Sequence, residues 1–413
     1  MSEVMNVPDG WTKYYVEELI KVTTGNKDTK DSDPNGTYPF VIRSQNLEKI
    51  NTYSYDGEAI LIAGDGDIRN IFHYFNGKFD FHQRVYCLHK FNDKLYGKYF
   101  YYFFRHNFVN QVNKYSAKGT VDSVRLDMIT KMEIELPPLK EQQKIAKILS
   151  TLDKTIEATQ KLIDKEKNIK KGLMHDLLTN GIDANGKIRT PQTNTYKQSE
   201  LGLIPEEWEV MSLIDVTDKS DRYSFTGGPF GSDLKSADYV DQGVRVIQLQ
   251  NIGDGEFKNN DFVYTSEQKA QELFSCQIFP NEIIMSKMGD PVGRACLIPN
   301  IEEKFVMCSD GIRIKVDLDK YDNYFIFLAI NNTDFRNSIE RVALGSTRKR
   351  VGLVELKTLK LKMPRHDEQK QIAKILTTQD KKIQTEETNL AKLKELKKGL
   401  MNDLLSGTVR VKI

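Results

Sequence analysis

A chain of 413 residues is longer than one compact domain of ~100–200 residues, so two or more domains are expected. With 39% hydrophobic and 29% charged residues, the composition excludes a disordered or fibrous chain and predicts folded domains with some long exposed helix. The 60 Lys and Arg against 58 Asp and Glu leave a net charge of +2, which excludes a polycation, so any attraction to nucleic acid must come from cations placed locally.

The start, "MSEVMNVPDGW", lacks a basic-then-apolar signal, and no run approaches ~20 apolar residues, so a cytoplasmic chain without a membrane partner is expected. Cys87, Cys276, Cys296 and Cys308 form no CxxC pair and have no histidine at zinc spacing. They read as free thiols rather than a disulfide framework or a metal site.

Residues 1–136 mix aromatic and β-branched runs with Gly and Asn turns, which predicts an α+β domain. Trp11 follows a proline and heads an amphipathic run, which favours core anchoring over base stacking. Arg43, Ser44, Gln45 and Asn46 close "FVIRSQN" with the side-chain types that read base edges, although amides at a strand end also tie down turns. The run "EAILIAGDGDIRNIFHYFNGKFDFHQRVYCLHKF" alternates strands and turns and carries His82, Gln83 and Arg84, which are either base readers or solvent-facing strand residues. "YGKYFYYFFRHNFVNQVNKYS" predicts a helix on an apolar core, and Lys118 and Thr120 in "AKGT" are candidate phosphate contacts.

A helical spacer is predicted over residues 137–182. Ile145, Leu149, Leu152, Ile156, Ile163, Leu173 and Leu177 recur at steps of three and four, a coiled-coil seam. Pro137 and Pro138 precede it, and Glu141 lies where the helix dipole favours an anion. Thr159 and Glu166 interrupt the seam with polar side chains, and Gly172 suggests close helix approach. A linker over 183–203 follows.

From residue 204 the chain is written again. "IPEEWEV" at Ile204 echoes "VPDGWTK" at Val7, and residues 204–363 form a second α+β domain. Its candidate readers are Gln248, Gln250 and Asn251, then Lys287 and Arg294, then Ser346, Thr347, Arg348, Lys349 and Arg350 in a loop equivalent to "AKGT". Residues 364–413 repeat the helix: "EQQKIAKIL" at Glu141 returns as "EQKQIAKIL" at Glu368, and Leu178 returns as Leu405, 227 residues on in each case. Ile372, Leu376, Ile383, Leu390, Leu393, Leu400 and Leu404 form its seam, with Gln379 and Glu386 as polar interruptions and Gly399 matching Gly172. A pair of equivalent helices predicts an antiparallel coiled coil and a pseudo-two-fold internal repeat.

Catalytic motifs are missing. No GxxxxGK[ST] phosphate cradle occurs, six scattered histidines give no metal or nucleophile constellation, and "HDEQK" at His366 sits at a helix start and reads as capping rather than as a nuclease site.

"LPPLKEQQKIAKILSTLDKTIEATQKLIDKEKNIKKGLMHDLLTNGI", "NGKIRTPQTNTYKQSELGLIPEEWEV" and "GGPFGSDLKSADYVDQGVRVIQLQNI" resemble the specificity subunit of type I restriction-modification enzymes over essentially the whole chain. That resemblance implies two target recognition domains, each reading half of a split asymmetric site in double-stranded DNA, on helices whose length sets the gap. It implies two modification subunits, which carry S-adenosylmethionine and methylate adenine, and possible restriction subunits, two in number, which bring ATP and Mg²⁺. This chain itself would be non-catalytic and hold no cofactor. A methylation-only complex and a coiled-coil scaffold that reads no DNA are the alternatives.

Overall fold

The computed structural model describes residues 7–115, 123–346 and 348–413, and among these no helix is long and apolar enough to cross a membrane. The chain is α+β and carries two repeats, divided into two compact units: Met1–Leu162 with Glu386–Ile413, and Ile163–Thr385. The two long helices, Leu139–Thr179 and His366–Leu405, contribute to both units. At 41 and 40 residues each is about 60 Å long.

In the first unit six strands are ordered Lys21–Thr24, Val85–His89, Tyr55–Ala63, Phe72–Phe81, Tyr38–Val41 and Glu48–Ile50. Alternation sends Ile60 and Ile62 to one core and Ala59 and Leu61 to another, so the strand is apolar on both faces. The helix Gly97–Tyr115 packs Phe100, Phe104 and Phe108 into the first of these cores, with the Phe104 and Phe108 rings stacked at 4.5 Å. Each ring contributes about 1.5–3 kcal/mol by burial.

The second unit holds a four-stranded sheet, Phe225–Gly227, Gly311–Ile314, Ile283–Ser286 and Ala295–Leu297, and a five-stranded one containing Val244–Ile247 and Phe305–Met307. The repeat is visible in the pairings. Thr12–Tyr15 pairs antiparallel with Glu133–Leu136 in one unit, as Glu209–Ser212 does with Lys360–Met363 in the other. The parallel contact Phe40↔Asp80 likewise matches Val246↔Val306.

Within each unit the two long helices run antiparallel. In the first, Asp153 pairs with Lys397 at 2.5 Å and accepts a hydrogen bond from Tyr102. In the second, Asp380 pairs with Lys170 at 2.5 Å and accepts from Tyr324. The 227-residue offset carries Asp153 onto Asp380 and Lys170 onto Lys397, so one ion pair is written twice.

Burial revises the seam. Leu152, Ile163, Ile383 and Leu390 are buried, but Ile145, Leu149 and Leu404 belong to the first unit's core, and Leu177, Ile372 and Leu376 to the second's. Ile156, Leu173, Leu393 and Leu400 are half-buried. The helix ends therefore also form domain core, with residues of both helices in each. The close approach expected at Gly172 and Gly399 is also corrected, because a Cβ at either position meets nothing within 4 Å.

The helix starts hold a feature that dipole reasoning misses. Glu368 accepts both ends of the Arg189 guanidinium at 2.5 and 3.2 Å, the Trp208 indole at 3.2 Å and the Ile182 backbone N–H at 2.9 Å. Its counterpart Glu141 accepts Arg410 at 2.7 and 2.8 Å, and that guanidinium lies over the Trp11 ring. Both tryptophans are buried, as anchoring requires. The next residues, Gln142 and Gln369, are also buried: Gln142 bonds Tyr96 N, Lys94 O and Pro137 O, and Gln369 bonds Asp322 N and Pro364 O.

Candidate nucleic-acid interface

In the first unit four separate turns meet at one corner of the sheet. Gly64 N donates to Arg84 O at 2.8 Å, His82 N to Val41 O at 2.9 Å and Gln83 N to Lys27 O at 2.8 Å. These ladder-like bonds between loops place Arg43, Gln45, Asn46, Gln83 and Arg84 together, all exposed. Asp65 organises them, accepting Arg43 and Arg84 at 2.8 Å each. Burial alone would raise its carboxyl, but the two guanidinium hydrogen bonds outweigh that and hold it below the usual carboxylate range. Each guanidinium keeps further donors for a phosphate or guanine edge, with part of its ordering cost already met.

Three side chains of this corner are less free. Ser44 is half-buried, its carbonyl bonded to His73 and its hydroxyl accepting from Asn46 N. Gln45 donates to Asn70 O, and Gln83 to Asp28 at 3.2 Å. His82 is neither a base reader nor a solvent-facing residue: it is 3% exposed, and its Nδ1 accepts Arg84 N at 3.0 Å. Burial, then the nearby Arg43, pushes this imidazole below its ordinary value, so it stays neutral and shapes the turn. Lys118 and Thr120 lie outside the described residues.

The second unit builds the same corner with charges rearranged. Lys287 N donates to Asp310 O at 2.7 Å where Gly64 N meets Arg84 O, and Val351 N to Lys287 O at 3.0 Å where Val124 N meets Gly64 O. An aspartate thus stands where the first unit has Arg84. Asp310 pairs with Arg350 at 3.4 Å, while Met288 takes the place of Asp65. Lys287 is half-buried and its ammonium is lowered by burial and by Arg350, Lys349 is tied to Glu340, and Arg348 is exposed with no ion pair among the described residues.

Ser346 is exposed, Arg294 half-buried and Thr347 outside the described residues. Gln250 is exposed and Gln248 half-buried. Asn251 is corrected from reader to scaffold: it is fully buried, accepting Gln248 N at 2.9 Å and donating to Lys258 O and Asn260 O. An amide that closes its own turn has no edge left to offer a base. Among the described residues no group of three or more His, Cys, Asp or Glu is placed to hold a metal, and Glu368 of "HDEQK" is saturated by Arg189, Trp208 and Ile182.

The sequence family described as "Type I restriction modification DNA specificity domain" matches residues 8–167 and again 205–395. The chain is 26% identical over 424 residues to the type I restriction enzyme MjaVIII specificity subunit of Methanocaldococcus jannaschii, covering 99% of this chain and 95% of that one. To the putative type I restriction enzyme MjaX specificity subunit of the same organism it is 32% identical over 321 residues, covering 76% and 68%. In fold it is similar to the crystal structure of the type I restriction-modification system S subunit from M. genitalium, with a TM-score of 0.62 at 16% identity over 100% and 98% of the two chains.

Proposed function

Because the chain belongs to the type I restriction-modification DNA specificity family, we propose that it reads a bipartite, asymmetric DNA site, one half through residues 1–136 and the other through residues 204–363. The observation that carries this reading is the duplicated corner. Two units of one frame hold exposed arginines against an aspartate, Arg43 and Arg84 on Asp65 in one and Arg350 on Asp310 in the other, yet differ in which positions are charged. A shared frame with unlike side chains is what a reader of two unlike half-sites requires.

The mechanism is recognition without chemistry. Local arginines and lysines supply a salt-dependent hold on phosphates, and the loop side chains discriminate bases in the major groove. Two modest half-site affinities joined through the long helices add into one specific interaction, and the helices fix the gap between half-sites. Two modification subunits bearing S-adenosylmethionine methylate adenine on the duplex held here, which requires the base to leave the stack. Two restriction subunits bring ATP-driven translocation and Mg²⁺-dependent cleavage.

Methylation mapping in a host with and without this chain, alongside its modification subunit, tests the reading. The expected result is one split adenine motif present only with the chain. Methylation lacking any split motif would contradict it.

A further inference from the structure

Phe230 is the most exposed large apolar side chain among the described residues, at 82%. It lies in Gly227-Gly228-Pro229-Phe230-Gly231, just after the strand Phe225–Gly227. The loop is not loosely placed. Gly228 N donates to Gly311 O at 2.8 Å, and a Cβ on Gly228 would meet Cys308 O at 1.7 Å, so only glycine allows this backbone approach. Phe230 O in turn accepts Asp233 N at 2.9 Å. A fixed backbone thus holds outward a ring that would ordinarily be buried.

The surroundings point to the occupant. The turn against which Gly228 presses continues into Asp310, the partner of Arg350, and Asp310 O accepts Lys287 N. Phe230 therefore follows a strand whose neighbouring turn leads through Asp310 to Lys287 and Arg350, at the end of the sheet where the candidate readers of this unit lie. The first unit treats the same place differently. A Cβ on Gly25 would meet Phe81 O at 2.0 Å, so that glycine makes the matching approach, but Asn26, Lys27 and Asp28 follow it. Among the described residues the three that follow Gly25 offer no apolar counterpart of Phe230, and the major groove offers one distinctive apolar group, the thymine 5-methyl.

We propose that Phe230 is a specificity-determining contact of the second recognition domain, packing its ring on a thymine 5-methyl in the half-site read by residues 204–363. This rests on the DNA-reading role proposed above. In the complex of the full chain with its modification subunits, thymines of the mapped motif are replaced one at a time by deoxyuridine, which removes only the methyl. Wild type loses about fourfold in affinity at one position of one half-site, and Phe230→Ala binds the thymine duplex more weakly while being indifferent to deoxyuridine there. Equal deoxyuridine sensitivity of wild type and variant would overturn the inference, as would a Phe230→Ala chain that no longer binds the modification subunits, since the ring would then belong to a protein interface. A wild-type complex that does not prefer its motif would instead overturn the DNA-reading proposal itself.

Discussion

Glu166 of the central helix accepts a 2.7 Å hydrogen bond from the Gln379 side chain of the C-terminal helix, and its other oxygen takes Lys382 at 2.8 Å. The repeat offset carries Glu166 onto Leu393 and Gln379 onto Leu152, so at the equivalent register the first unit has two leucines. One half of the helix pair is thus joined here by polar side chains, while in the other Leu152 is buried and Leu393 half-buried. Glu166→Leu alone removes the carboxylate that Gln379 and Lys382 share, leaving Gln379 the Glu166 backbone carbonyl at 3.1 Å, and should destabilise, whereas Glu166→Leu with Gln379→Leu places two leucines at this register as in the first unit and should recover most of the loss. The expected coupling is about 0.5–3 kcal/mol, measured by a double-mutant cycle in urea. Simple additivity would contradict it.

The buried pair Arg189–Glu368 should be costlier to break than its counterpart. Both side chains are under 10% exposed, so Arg189→Met leaves an unpaired carboxylate in the interior, a loss of about 3–5 kcal/mol. Arg410 is 40% exposed, so although Glu141 itself is 1% exposed, removing the arginine opens its carboxylate to water and Arg410→Met should cost less. Thermal melts of the two variants give the order.

Gly172→Ala and Gly399→Ala should each stabilise by about 0.5–1 kcal/mol, because a methyl at either position meets open space and alanine is the better helix former. Additive rises in the urea midpoint are the expected result.

Acid should weaken the first unit. His73, His82, His89 and His106 are each held below their ordinary value chiefly by burial. The unfolded chain therefore takes up protons that the folded chain refuses. Stability from these groups is full above about pH 6.5 and falls as pH drops below it, until the folded imidazoles protonate as well. Hydrogen exchange of the strands Phe72–Phe81 and Val85–His89 should accelerate between about pH 7 and about pH 5.5 beyond the intrinsic rate change.

Four residues inserted at equivalent points of both helices add roughly 6 Å to each, and the methylated motif should gain one or two base pairs in its gap. Mapping the motif of the inserted variant measures this directly. An unchanged gap would remove the helices from the spacing mechanism.

The repeat and the helices were legible because they rest on local periodicity and on a constant offset that a linear reading detects. The roles of Glu141 and Glu368 were not. Their partners Arg410 and Arg189 lie 269 and 179 residues away, and only folding shows that these carboxylates are clamps as well as first-turn anions. The repeated "EQ" at both helix starts was the available signal. His82 and Asn251 failed for a related reason: residue type marks a polar loop, but whether its amide or imidazole faces outward or closes its own turn depends on loops from distant strands. Phe230 sits in a glycine-rich stretch whose exposure no hydropathy pattern announces.

The most direct measurement of the central claim is exchange of residues 1–136 for the corresponding domain of another family member, followed by methylation mapping. Two independent readers on one spacer predict that one half-site changes while the other half-site and the gap persist. A motif that remains whole after the exchange, or one replaced in both halves, would contradict it.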